Sequence, residues 1–407
     1  MRGGSFLQKI NAHRTAKLFP VAEITPDTLA AILFTSGSTG PPKGVCYDHG
    51  TFAAQVRMLK ENLGIEKGGV DLATLPVFAL LNPALGMTTV VPDMDSRRPA
   101  QADAGKLVDA IRKHEVTNTF GSPVLWRKLA DHCEAHNLTL PSIKHVFLAG
   151  AAASPNLVEK LLPLLPKARI LIPYGATEAL PVSVCDGIEF LVVRRRTERG
   201  EGSCLGKPLP GMDVHILPIC NSPIPDLTET KPILAGEVGE ITVGGPVVTK
   251  CYDQMPGATF DSKVRDGDRI LHRMGDLGYL DEEGLLWFLG RKAERILTQD
   301  GPLETERAEP IANVFPQVRR SALIGLGNDR EKEPALVVEP EPENFPRNAA
   351  EEKTFATAIL DALHKHERLR CIRRIFFERA FPVDTRHNAK IHRLALARKW
   401  TKVTGTS

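Results

Sequence analysis

The sequence predicts an α/β protein: a large N-terminal part with a mostly parallel, helix-flanked sheet and a β-rich subdomain, then a small α+β C-terminal domain. Three observations predict it. From Leu29 to Ile172 short apolar runs alternate with helical stripes, the pattern of parallel strands joined by crossover helices. From Gly202 the chain breaks into short β-rich pieces separated by Gly and Pro, which reads as a smaller β unit. Beyond Arg291 a compact run of helices and strands follows. The 407 residues allow two or three domains, and the expected segments are 1–201, 202–290 and 291–407.

Taken in order, residues 1–28 show no clear element. Leu29 to Phe34 is an apolar run expected to form a buried strand. Phe52, Val56, Leu59 and Leu63 follow a helical stripe. Leu72 to Val91 is apolar and nearly long enough to span a bilayer, but Pro76, Asn82, Pro83 and Gly86 break it. It is expected to be a strand, a loop and a buried segment. Helices are expected at Lys106–His114, Pro123–Cys133 and Leu157–Leu165, the last behind a Ser154-Pro155 cap. Strands are expected at Val116–Phe120, His145–Ala149 and Arg169–Ile172. The β-rich region offers Val214–Leu217, Val238–Val243 and Gly278–Leu280. The last region offers helices at Glu306–Phe315 and Phe355–His366, with strands at Ser321–Gly325, Ala335–Val338 and Arg374–Glu378.

Composition narrows the function. Apolar residues make up 42% and charged residues 25%, ordinary for a globular protein. A net charge of +3 and a longest basic run of three, Arg194-Arg195-Arg196, give no nucleic-acid footprint. Seven scattered cysteines without a CxxC pair indicate neither a zinc knuckle nor a disulfide framework. A reducing, cytoplasmic setting is expected. Met1 to Asn11 lacks a signal-peptide core, and no transmembrane segment is expected.

The stretch Thr35-Ser36-Gly37-Ser38-Thr39-Gly40-Pro41-Pro42-Lys43-Gly44 follows the first apolar run. Its glycines let the backbone approach a ligand, its N–H and hydroxyl groups can hold phosphate oxygens, and Lys43 adds a compact charge. Pro42 before Lys43 and Gly44 after it depart from the Walker pattern. Tyr174-Gly175-Ala176-Thr177-Glu178 lies at a strand end, where the Glu178 carboxylate could hold Mg²⁺ against phosphates. Arg273-Met274-Gly275-Asp276 reads as a turn whose Asp could accept from both ribose hydroxyls. Arg291 could bind ribose or phosphate. Each stretch alone also reads as an ordinary surface turn.

In this order and spacing, together with Lys390, these motifs resemble the adenylate-forming superfamily of acyl-CoA synthetases, luciferases and peptide-synthetase adenylation domains. The resemblance implies a large N-terminal and a small mobile C-terminal domain, with the active site between them. It implies that Thr35 to Lys43 hold the ATP β- and γ-phosphates and that Glu178 ligates Mg²⁺. Thr177 would lie by the α-phosphate, Tyr174 would stack near adenine with Gly175 beside it, and Asp276 with Arg291 would bind ribose. Lys390 would reach the carboxylate and α-phosphate. Thr177, Glu178 and Lys390 would then be catalytic, with ATP and Mg²⁺ required.

Further stretches resemble the olefin-biosynthesis branch, the β-lactone synthetases: Pro92-Asp93-Met94-Asp95-Ser96-Arg97-Arg98-Pro99-Ala100, Gly301-Pro302-Leu303, Glu306 with Glu309-Pro310, and His387-Asn388-Ala389-Lys390. That branch implies a long-chain 2-alkyl-3-hydroxy fatty acid closed to a β-lactone with release of AMP and pyrophosphate. It also implies association with other olefin-pathway enzymes. Ala293, two residues after Arg291, and Ala389 before Lys390 depart from thioester-forming relatives. Two alternatives stay open: a fatty acyl-CoA or acyl-carrier-protein ligase, and a truncated, non-catalytic remnant, since the phosphate loop begins only 34 residues into the chain.

Overall fold

The computed structural model describes residues 22–35, 41–150, 152–327, 330–383 and 391–404. Strands β1 (Leu29–Phe34) and β2 (Gly44–Asp48) form a two-stranded antiparallel ribbon. This corrects the expectation of a buried first strand: Leu29 is 56% and Phe34 69% exposed. A two-stranded ribbon has little to bury against, and Val45 and Tyr47 of β2 take its inner face against Tyr252. Helix α1 (His49–Glu61) follows, its first turn capped by the Asp48 carboxylate, which accepts from Thr51 N. Its buried face is Ala54, Gln55, Met58 and Leu59, turned slightly from the predicted stripe.

A seven-stranded sheet forms the centre. Strands β3 (Val70–Leu72), β4 (Thr88–Val90), β5 (Asn118–Gly121), β6 (His145–Leu148) and β7 (Arg169–Ala176) run parallel. Strands β8 (Ala179–Asp186) and β10 (Lys207–Pro208) add antiparallel to its edge; β9 (Ser203–Cys204) belongs elsewhere. Between β3 and β4 two short helical turns, Pro76–Ala79 and Asn82–Leu85, fill the stretch expected as loop, each started by its proline. Helices α2 (Ala104–Lys113), α3 (Pro123–Ala135) and α4 (Pro155–Leu164) cross over between strands. Their starts are set by Asp103, Ser122 and Ser154, each accepting from a backbone N–H in the first turn. They bury Ile111, Trp126, Leu129 and Leu161 against Val146 and Ile170, each worth roughly 1.5–3 kcal/mol.

The β-rich sheet is antiparallel: β11 (Asp213–Leu217), β12 (Gly239–Gly244), β14 (Arg269–Leu280), β15 (Leu286–Arg291) and β9 in that order, with β13 (Lys263–Asp266) also on β14. The 12-residue β14 corrects the expected turn at Asp276. Gly275, at φ 67°, lets the strand continue through Arg273 to Asp276, with an irregularity in register at Leu277/Gly278. Glu240 of β12, 1% exposed, accepts from Arg273 of β14 and from Lys292 just past β15.

The last region has a ribbon, β16 (Ile296–Thr298) with β17 (Gly301–Leu303), and a three-stranded sheet of β18 (Val318–Leu326), β19 (Glu333–Pro340) and β20 (Arg374–Phe377). Helices α5 (Thr305–Asn313), α6 (Ala349–Leu363) and α7 (Arg393–Thr404) cover it. Glu309 of α5 joins Arg393 of α7 at 2.8 Å, and Ser203 of β9 donates to Glu306 of α5 at 2.6 Å. Cys185 of β8 and Cys204 of β9, both buried, place their sulfurs 3.9 Å apart. The Cys185 thiol is pushed up by its hydrogen bond to Cys204 and by burial. Among the described residues no helix is long and apolar enough to cross a membrane.

Candidate active site

The C-terminal ends of the parallel strands meet the β-rich sheet at the turn between β7 and β8, where open α/β sheets hold their ligands. Tyr174 of β7 donates its hydroxyl to Asp276 Oδ2 at 2.7 Å, and Arg291 Nη1 donates to Asp276 Oδ1 at 2.6 Å. Asp276 and Arg291 are direct partners on the β14–β15 ladder, so backbone pairing sets their separation. Asp276 is 2% exposed. Burial pushes its carboxyl up, while the charge of Arg291 and the Tyr174 hydroxyl pull the other way. An ionised carboxylate has about four lone-pair sites, and these two donors fill two of them.

Thr177 and Glu178 form the turn itself. The Thr177 carbonyl accepts from Tyr47 OH. Glu178 Oε1 accepts from Tyr252 OH at 2.6 Å, and its carbonyl accepts from Thr249 N at 2.9 Å and Thr249 Oγ1 at 3.0 Å. Lys43 Nζ lies 4.9 Å from the centre of the Tyr252 ring, so Tyr252 stands between the loop's lysine and the turn's carboxylate. The loop base is closed by two bonds: Lys43 N donates to Thr35 Oγ1 at 3.1 Å, and Thr35 N to the Lys43 carbonyl at 3.0 Å. Ser36, Gly37, Ser38, Thr39 and Gly40 lie outside the described residues, as does Lys390. Its neighbour Ile391 bridges Val383.

Three groups here carried no sequence signal. Tyr252 and Thr249 lie in a mixed polar segment more than 70 residues from Glu178. Lys263 of β13 is buried and donates to Thr249 O at 2.5 Å and to its Oγ1 at 3.3 Å; burial pushes its ammonium down to about 7. Its cross-strand partner His272 is buried with Nδ1 unbonded among the described residues.

A cavity of about 280 Å³ adjoins the turn, reaching Gly150, Gly175 and Thr177. Leu59, Leu63, Leu81 and Leu85 line it, and Phe78, Phe120 and Phe147 stack along one wall with ring centres 4.3 and 4.2 Å apart. This chamber suits an alkyl chain. Among the described residues no group of three or more His, Cys, Asp or Glu could hold a metal ion. Glu178 has one oxygen committed to Tyr252 and one without a bond among the described residues. One carboxylate beside phosphates fits Mg²⁺, which takes its other ligands from phosphate and water.

Residues 4–253 match the family described as AMP-binding enzyme. The chain is 45% identical over 401 residues to the olefin beta-lactone synthetase of Xanthomonas campestris pv. campestris, covering 97% of this chain and 71% of that one. Its fold resembles that of the ATP-bound RpMatB-BxBclM chimera B1 at a TM-score of 0.75 and 20% identity, over 97% of this chain and 73% of the other. It also resembles O-succinylbenzoate coenzyme A synthetase from Bacillus subtilis, in complex with ATP and magnesium ion, at 0.72 and 23%, over 95% and 74%. The chain belongs to the AMP-binding enzyme family, in the branch of the olefin beta-lactone synthetases.

Proposed function

We propose that this protein activates a 2-alkyl-3-hydroxyalkanoic acid with ATP and closes it to a β-lactone, releasing pyrophosphate and AMP. The observation that carries this reading is the apolar chamber ending at the Thr177–Glu178 turn, beside the Asp276–Arg291 pair. An alkyl branch in the chamber and a nucleotide on Asp276 bring a carboxylate and an α-phosphate to the same turn. The identity to a beta-lactone synthetase supports the ring closure.

Two steps balance the chemistry. A carboxylate oxygen attacks the α-phosphorus, and the bond to the bridging oxygen breaks as pyrophosphate leaves. The 3-hydroxyl oxygen then attacks the acyl carbon, losing its proton, and the carbon–oxygen bond to AMP breaks. Both reactants of the first step are anions, so the protein's task is to neutralise and align them. Asp276 and Arg291 fix the ribose, and Tyr174 holds Asp276. Lys43 and the Thr35 loop, with its residues Ser36 to Gly40, hold the outer phosphates. Glu178, steadied by Tyr252 and Thr249, would hold Mg²⁺, which when bound would supply positive charge against the phosphates. Lys390 meets the carboxylate and α-phosphate. The apolar walls exclude water from the mixed anhydride.

The same reading places the protein in a reducing interior, supported by its free thiols, and in company with other olefin-pathway enzymes, which co-purification would check. Mass spectrometry tests the reaction: purified protein, ATP, Mg²⁺ and the hydroxy acid, with and without CoA. The expected product is one water lighter than the acid, with AMP and no CoA dependence. A CoA thioester without lactone would sink the reading.

A further inference from the structure

The chamber's far end is not apolar. Asp71 and Asn82, 5% and 4% exposed, both line it, with Asn118 beside them. Asp71 is the ladder partner of Asn118 on β5 and of Thr89 on β4. Asn82 Nδ2 donates to Asp71 Oδ2 at 2.8 Å and to Thr89 Oγ1 at 2.9 Å, and Asn118 Oδ1 meets His145 Nδ1 at 2.8 Å. No described residue bonds Asp71 Oδ1. Asn118 and Phe120 project from the same face of β5, so the wall passes from aromatic to polar within about 7 Å along the strand. The polar floor lies at the starts of the parallel strands, and the Thr177 turn at their ends. Burial pushes the Asp71 carboxyl up to about 6, which still leaves it mostly ionised at neutral pH.

Resting on the reading above, we propose that Asp71, held by Asn82, sets the length limit of the alkyl branch that this chamber accepts. A chain that stops short leaves room for water on Oδ1. A longer one presses its methyl end on the carboxylate, expels that water and offers no hydrogen bond in return, which is costly for a charged group. Elsewhere in the chamber each added methylene gains contact with aliphatic and aromatic walls. Affinity therefore climbs with length and then stops abruptly at the floor.

The test is ATP–pyrophosphate exchange by the full chain, with 2-alkyl-3-hydroxyalkanoic acids whose branches are lengthened one carbon at a time. For the native protein kcat/KM should rise about fourfold per buried methylene and then fall at one length. Asp71→Ala, which removes the charge and adds room, should move that limit to longer branches by at least one carbon. Asp71→Asn, which keeps the size and removes the charge, should soften the fall. An unchanged limit in both variants, with normal exchange on short acids, overturns the proposal. Should Asp71→Ala fail to fold, the near-isosteric Asp71→Asn carries the test alone. Absence of exchange with every acid in the native protein instead defeats the proposed function, and this inference with it.

Discussion

Replacing Asp71 with asparagine should stabilise the protein at neutral pH, and the gain should vanish in acid. The native fold raises this carboxyl from 3.8 to about 6 because burial disfavours its charge more than Asn82 supports it. The fold thus favours the neutral form. That contribution is fully present below 3.8 and is lost as pH rises through 6. At pH 7 the native protein carries the whole penalty of a buried carboxylate, about 3 kcal/mol from the two values. An amide of the same shape carries none of it. His145, reached through Asn118, titrates in both proteins and drops out of the difference. Urea unfolding of both proteins, followed by the fluorescence of the buried Trp126 core, measures the gap. It should be about 2–3 kcal/mol in favour of the variant near pH 7 and close to zero near pH 4. A gap of the same size at both pH values, or a less stable variant at pH 7, would refute the argument that the carboxylate is ionised and poorly solvated.

Glu240→Gln should cost about 3–5 kcal/mol of stability in the same assay, because it strands Arg273 and Lys292 around a neutral group in a buried site; a change under about 1 kcal/mol would show that the triad contributes little. Asp276→Asn should raise the KM for ATP in pyrophosphate exchange roughly 10- to 100-fold, the loss of one charge-assisted hydrogen bond, while leaving the KM for the acid near its native value. An equal rise in both would argue for general distortion in place of a ribose contact.

The parallel sheet was legible because β6 and the first half of β7 read as buried apolar runs between helical stripes. Leu29 to Phe34 has the same composition, yet it lies open in a ribbon, since an apolar run records what a strand could bury and not what lies against it. The strand through Asp276 was hidden by Gly275, whose positive φ is absorbed within β14. Tyr174, Asp276 and Arg291 could be singled out from motif order, and the fold joins them by direct hydrogen bonds. Tyr252 and Lys263 could not, because their partners come from distant segments and neither sits in a patterned stretch. The polar floor was equally silent: Asp71 follows two glycines and a valine, and only the fold brings Asn82 and Asn118 to it.

The facing thiols of Cys185 and Cys204 turn the seam between the central and β-rich sheets into a clock. Neither sulfur can meet a reagent while β8 and β9 stay packed, since both are buried, and the raised Cys185 thiol is in addition a poor nucleophile. Their rate of alkylation therefore counts excursions in which the seam parts, much as amide exchange counts local openings. The half-buried Cys220 and Cys251 react without such an event and supply the fast reference. Slowing of the two seam thiols on adding nucleotide would time how firmly the bound state locks one sheet to the other.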